Sequence, residues 1–164
     1  MRVLAICGSL QARSSNLAPL ETAAAMAPPP IELVIFDGLR DLPLFNPDLE
    51  AVEPLPIVEA WRRAIAESDA LLIASPEYGF SLPGALKNGI DWVIGSGELE
   101  RKTVAVTASA NHSERGRRGL KALCDALGAV SAVIVGGEPI VRGPSFNNEL
   151  ATLLRALSGA VENR

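Results

Sequence analysis

Histidine occurs once, at His112, and cysteine twice, at Cys7 and Cys124, in a chain of 164 residues. A single imidazole argues against a histidine-rich metal centre and against a Ser-His-Asp triad. Two distant thiols are too few for a disulfide framework or a zinc motif. A basic excess is also missing. Fifteen Lys and Arg against 19 Asp and Glu leave a net charge of −4 and a pI near 5.1, where a nucleic-acid binder would show a basic face. No apolar run approaches the roughly 20 residues of a membrane-spanning helix. The N-terminal stretch Val3-Leu4-Ala5-Ile6 is too brief for the core of a secretory signal and reads as a buried strand. These absences point to a cytoplasmic protein with reduced thiols and neither a membrane span nor a nucleic-acid partner.

What is present describes a globular chain. Hydrophobic residues make up 48% and charged residues 21%, which excludes disorder, and the length fits one domain spanning residues 1–164. Short apolar runs at 2–7, 31–36, 70–74, 103–107 and 131–135 read as strands. They alternate with helical periodicity at 15–26, 55–67, 83–93, 117–127 and 147–161. Successive apolar residues within the strands are the mark of a parallel sheet covered on both faces. The helix stripes are legible: Ile57, Trp61 and Ile65; Leu82, Leu86, Ile90 and Val93; Leu120, Leu123 and Leu127, with Gly128 expected as the C-cap. Residues 38–54, punctuated by Pro43, Pro47 and Pro54, read as a long loop, and a loop of that length in a compact domain is usually functional or interfacial.

In an open α/β sheet the ligand sits beyond the carboxyl ends of the strands, so the segments after strands one, three and four carry the interest. Gly8-Ser9-Leu10-Gln11-Ala12-Arg13-Ser14-Ser15-Asn16 gathers hydroxyls, amides and a guanidinium ahead of a helix N-terminus, an arrangement suited to a phosphate. It is neither a Walker A loop nor GxGxxG, and a plain N-cap at Ser14 or Ser15 explains it equally well. Ser75-Pro76-Glu77-Tyr78-Gly79-Phe80-Ser81 carries the only tyrosine and suits a planar, hydrogen-bonding ring. The alternative makes Tyr78 and Phe80 a plug over the core and Glu77 a solvated loop carboxylate. The small, basic segment from Ala108 to Gly119 borders a ligand or merely precedes a helix, with His112 exposed. Cys7 reads as a packing residue.

At these residues the chain resembles the NADPH-dependent FMN reductase family, flavodoxin-like proteins that include azo-, quinone- and chromate-reducing enzymes. Gly8, Ser9, Leu10, Ser14 and Asn16 match the family's phosphate loop. Pro76, Glu77, Tyr78, Ser81, Pro83, Gly84, Leu86, Lys87, Asn88, Ile90, Asp91 and Trp92 match its flavin-ring motif, and the segment from Leu42 to Asp48 is similar to a further family loop. The resemblance implies an open five-stranded parallel sheet in the order 2-1-3-4-5 with helices on both faces. It also implies FMN as cofactor, NADPH or NADH as co-substrate, a small-molecule electron acceptor, and a homodimer or homotetramer.

By the same resemblance, FMN contacts fall on Ser9, Gln11, Arg13, Ser14, Ser15, Asn16, Pro76, Glu77, Tyr78, Gly79 and Ser109, with no catalytic side chain because the flavin carries the chemistry. Two departures stand out. Gln11 replaces the usual arginine, a loss worth about 1.5–3 kcal/mol if one charge-assisted hydrogen bond goes with it, and Arg13 is placed to compensate. Gly79 replaces the usual asparagine. Two further readings follow, a flavodoxin-like electron carrier and a degenerate member without FMN. The modest −4 charge speaks against the carrier, and Ser75-Pro76 stands where a response regulator would need its aspartate.

Overall fold

Alternate residues of a strand face opposite ways, and in the first strand both directions are apolar. In the computed structural model, which describes residues 1–52 and 54–163, β1 (Arg2–Cys7) turns Leu4 and Ile6 to one side and Val3 and Ala5 to the other, none more than 3% exposed. β2 (Glu32–Ile35), β3 (Ala70–Ala74), β4 (Thr103–Ala110) and β5 (Val133–Val141) complete a parallel sheet in the order β2-β1-β3-β4-β5. On the Leu4 side lie α3 (Pro56–Ala66), α4 (Gly84–Asp91) and α5 (Arg117–Ala129), whose Trp61, Ile90 and Leu123 meet Leu71, Ile73 and Val104. On the other side lie α1 (Ala18–Met26) and α6 (Phe146–Glu162), and here the strands present mostly alanine: Ala5, Ala70, Ala74 and Ala105. Truncating a residue of the larger layer such as Leu123, which is fully buried, costs about 2–5 kcal/mol.

The sheet order and the two helix layers agree with the sequence reading, and four local expectations are corrected. First, the helix expected from residue 15 begins at Ala18, with proline at its first turn and no side-chain cap. Pro19 tolerates that position because no intrahelical donor is needed there, so residues 8–17 stay free as a loop and neither Ser14 nor Ser15 is an N-cap. Second, Gly128 does not end α5. The helix runs to Ala129, and the left-handed residue is Ser131 at φ 58°. The amides of Ser131 and Ala132 donate to the carbonyls of Gly128 and Leu127 at 3.0 and 3.1 Å, which is a Schellman closure.

Third, β5 does not stop at residue 135. Gly136 and Gly137, at φ 78° and 101°, form a bulge opposite Val106/Thr107, and pairing resumes to Val141. A Cβ on Gly136 would sit 2.7 Å from Leu153 Cδ1 and 2.9 Å from the Val106 carbonyl, so the bulge depends on glycine. Fourth, the span 38–54 is not a bare loop. It holds a 3₁₀ turn (Gly38–Asp41) and α2 (Pro47–Val52), while Glu53 lies outside the described residues. Asn46 Oδ1 accepts the Asp48 amide at 2.9 Å ahead of Pro47, a cap followed by proline at the first helical position.

The second half of the motif at 83–92 fastens that span. Asn88 Nδ2 and Trp92 Nε1 both donate to the Pro43 carbonyl at 2.8 Å, and Asn88 Oδ1 accepts the Phe45 amide at 2.7 Å. Trp61 donates its indole N–H to the Gly89 carbonyl at 2.8 Å. Both buried indoles are thus satisfied, and Pro43 is held against α4 and Trp92.

Candidate functional site

Strand order reverses between β1 and β3, and the segments leaving these strands must diverge there. The opening is a cleft of about 470 Å³. Ser9, Gln11, Ser14, Ser15 and Asn16 line it from the segment after β1, Pro76, Glu77 and Tyr78 from the segment after β3, and Ser109 from β4. Arg13 and Gly79 are exposed and do not line it. A groove of similar size, about 440 Å³, runs between β5 and α6 and contains none of these residues.

The segment 8–17 is ordered by its own side chains. Ser14 Oγ accepts the Asn16 amide at 3.2 Å, and Ser9 Oγ accepts the Gln11 amide at 3.3 Å. The Ser14 amide donates to the Gln11 carbonyl and the Leu17 amide to that of Ser14, each at 3.0 Å. Asn16, 3% exposed, reaches across the cleft floor, where its Oδ1 accepts the Ser109 amide at 2.9 Å. Among the described residues, the amides of Ala12, Arg13 and Ser15 meet no protein acceptor. These donors sit just ahead of a helix N-terminus, which favours an anion.

The segment after β3 is built differently. Tyr78 and Ser81 exchange two backbone hydrogen bonds of 3.0 Å, so Gly79 and Phe80, at φ 56° and 63°, are the two corners of a tight type I′ turn. Glycine at 79 is therefore a turn residue whose missing Cβ opens onto empty space. Tyr78 is half exposed, and its hydroxyl lies 3.2 Å from Ser9 Oγ, bridging the two segments. Phe80 lies beneath the Arg118 guanidinium, 4.3 Å from the ring centre.

Glu77 is not a solvated loop carboxylate. Its Oε2 accepts the backbone amides of Arg118 and Gly119, each at 3.0 Å, at the start of α5. Sequence reasoning missed this because the partners are more than 40 residues away. The signal was the pair Gly116 and Gly119: the first cannot cap a helix with a side chain, and the second leaves room for another backbone. The structure also adds Arg115 and Gly116 to the lining of the cleft. Arg115 is exposed and makes no ion pair among the described residues, whereas Arg117 pairs with Glu138 at 2.7 Å.

One atom tests whether the cleft fits a polar ligand. Ser109 Oγ is buried without any hydrogen-bond partner, on a residue that lines the cleft, and buried hydroxyls are rarely left unpaired. A ligand bearing hydroxyls and a phosphate suits this set of groups: loose amides, serine hydroxyls and one unpaired cation. No cluster of three or more His, Cys, Asp or Glu able to hold a metal occurs among the described residues, and no helix among them is long and apolar enough to cross a membrane. His112 is exposed. The thiols are free; burial, with Asp125 beside it, pushes the Cys124 thiol pKa up, the opposite of an activated cysteine.

A parallel sheet in this order, with a polar cleft past the ends of its central strands, defines a flavodoxin-like protein. The model for "NADPH-dependent FMN reductase" matches residues 1–144, and the chain belongs to that family. An NAD(P)H-dependent FMN reductase of Pseudomonas aeruginosa is 44% identical over 92 residues, 56% of this chain and 49% of that protein. A probable NADPH:quinone oxidoreductase of Oryza sativa is 35% identical over 123 residues, 73% of this chain and 61% of its own length. The matched part thus spans about half the length of the curated relatives. Among solved structures, a flavoenzyme NAD(P)H:(acceptor) oxidoreductase of Paracoccus denitrificans superposes with a TM-score of 0.86 at 25% identity, covering 99% of this chain and 97% of that one.

Proposed function

We propose that the chain is an FMN-dependent NAD(P)H oxidoreductase that takes a hydride from NADPH or NADH and reduces a small acceptor of the quinone, azo, nitro, metal-oxyanion or flavin type. The observation that carries the reading is the convergence of the segments after β1 and β3 on one cleft whose floor holds the unpaired Ser109 hydroxyl.

In this reading Ser9, Gln11, Ser14, Ser15 and Asn16 hold the FMN phosphate and chain against the start of α1. Ser109 supplies a hydroxyl from the floor and Arg115 a positive charge, with Arg13 at the rim in place of the arginine that Gln11 lacks. Pro76, Glu77, Tyr78 and the backbone at Gly79 form the shelf for the ring. Bound FMN supplies the hydride acceptor and the ability to release electrons singly or in pairs. The chain's own work is to bind, orient and shield, and no side-chain acid, base or nucleophile is assigned. The free thiols suit a cytoplasmic setting. Leu44, Phe45 and Leu49 in the proline-punctuated span are exposed by 83%, 37% and 41%, apolar side chains suited to a second copy in a homodimer or homotetramer.

The test is FMN titration of the purified protein by fluorescence quenching, followed by NADPH and NADH oxidation with a quinone. FMN uptake with nucleotide oxidation supports the reading. FMN uptake without oxidation by either nucleotide supports a carrier, and failure to take up FMN supports a degenerate member. Arg115→Ala, at the cleft lining, weakens FMN affinity most, Arg13→Ala less, and His112→Ala leaves it unchanged. The order is checked by the three dissociation constants.

A further inference from the structure

Helix α5 starts without a cap of its own. Gly116 stands at the N-cap position with φ 97° and no side chain, where an Asp, Ser or Asn would normally accept the amides two and three residues on. Those amides belong to Arg118 and Gly119, and both donate at 3.0 Å to Glu77 Oε2 from the segment after β3. The cap is therefore supplied from another part of the chain, by the segment that shelves the proposed ring site. A carboxylate at this end of a helix also meets the favourable end of its dipole.

Two further observations place the same segments against each other. A Cβ on Gly119 would lie 2.9 Å from both Glu77 Cα and Cβ and 3.1 Å from the Ser81 carbonyl, so the two backbones meet at a distance only glycine allows. One residue earlier, Arg118 covers the Phe80 ring at 4.3 Å, a cation–π contact. The turn at 78–81 is thus gripped by α5 at its base through Glu77, along its length at Gly119, and at its tip through Phe80.

The geometry points to Glu77 as a positioning residue, with Gly119 as its seat. It fixes the 76–81 shelf on the first turn of α5, so that the shelf and the Arg115–Gly116 side of the cleft hold one spacing. This role rests on the flavin reading for its consequence in binding, but the coupling of the two segments stands without it. It also changes what Glu77 contributes: the oxygen that accepts two amides serves the protein, and its effect on a ring passes through the shelf.

The test has a ligand-free arm and an FMN arm. In hydrogen exchange without flavin, Glu77→Ala speeds exchange of the Arg118 and Gly119 amides at least about tenfold, while Glu77→Gln, which keeps an acceptor oxygen, stays within about threefold of the wild type. In the FMN arm, Glu77→Ala and Gly119→Ala each weaken affinity about tenfold or more and alter the visible circular dichroism of the bound flavin, and Glu77→Gln restores both. Unchanged exchange in Glu77→Ala overturns the coupling. Faster exchange with wild-type affinity and dichroism makes Glu77 a helix cap only and overturns the positioning role. Should Glu77→Ala fail to fold, Gly119→Ala decides, and wild-type FMN affinity in that variant overturns the role. Wild-type protein that takes up no FMN sinks the flavin reading instead, and the exchange result then decides the coupling alone.

Discussion

The two segments that flank the cleft are held in opposite ways. The one at 8–17 is fastened by side chains, Ser9, Ser14 and Asn16, and keeps backbone amides without protein acceptors. The one at 76–81 is fastened by a closed pair of backbone hydrogen bonds and by a carboxylate anchored in a neighbouring helix. A cradle for an anion has to keep donors free, so its order must come from groups other than its amides. A shelf for a flat ring takes its order from a closed turn, which still leaves the amides of Glu77, Gly79 and Phe80 without protein acceptors among the described residues. The difference predicts that variants of the first segment damage binding through chemistry, and variants of the second through shape.

The largest break in that comparison comes from Asn16. Asn16→Ala leaves the part-buried Ser109 amide without the acceptor it now has at 2.9 Å, a cost of about 1–3 kcal/mol in unfolding free energy. FMN affinity falls by more than tenfold with it. Asn16→Asp keeps an acceptor for Ser109 but sets a buried negative charge beside the proposed phosphate, so FMN affinity falls by more than the loss of stability accounts for. Urea unfolding and FMN titration on the two variants separate the roles. Equal affinity losses in proportion to stability would mean that Asn16 acts on the fold alone.

The same contrast explains what could be read in advance. Strands β1, β3 and β4 and the layer order follow from apolar runs, because a residue covered on either face of a sheet must be hydrophobic whichever way it points. The residues of 8–17 that line the cleft were legible because their hydroxyls and amides stand out as a polar run between an apolar strand and a helix. The shelf was legible as a motif but not as a mechanism. The fate of Glu77 depends on an amide pair at 118 and 119 that only the packed sheet brings near, and Gly79 looked like a lost ligand when it is a corner at φ 56°. Gly128 failed as a stop signal, and the strand expected to end at residue 135 ran on past Gly136, for a related reason. A glycine marks where the backbone is free to turn, while hydrogen bonds elsewhere, at Ser131 and across the bulge, decide where it does.

A middle-sized effect sharpens the shelf side of the comparison. Gly79→Ala forces a Cβ into the left-handed region at φ 56° and costs about 1 kcal/mol, while Gly79→Asn costs less because asparagine tolerates that conformation. Neither Cβ meets another atom, since the space around it is open. FMN affinity in both variants therefore tracks the turn's stability, measured by urea unfolding, and asparagine brings no gain in affinity. A tighter-binding Gly79→Asn protein would show that the side chain usual at this position in the family reaches the ligand, and the shelf would then act through chemistry after all.

The smallest effect tests the hydrogen bond between Tyr78 and Ser9 that joins the two segments. Tyr78 Oη and Ser9 Oγ lie 3.2 Å apart, and the tyrosine is 52% exposed, so water replaces the partner readily and Tyr78→Phe costs less than about 1 kcal/mol of stability. Because Ser9 also accepts the Gln11 amide, its hydroxyl keeps an anchor when the tyrosine oxygen goes. The cradle stays ordered, and FMN affinity changes by less than about threefold, equivalent to the loss of a weak, exposed hydrogen bond. A tenfold loss in Tyr78→Phe, with urea unfolding unchanged, would place the phenol oxygen on the ligand itself, and the shelf would share with the cradle the work of holding the flavin's polar groups.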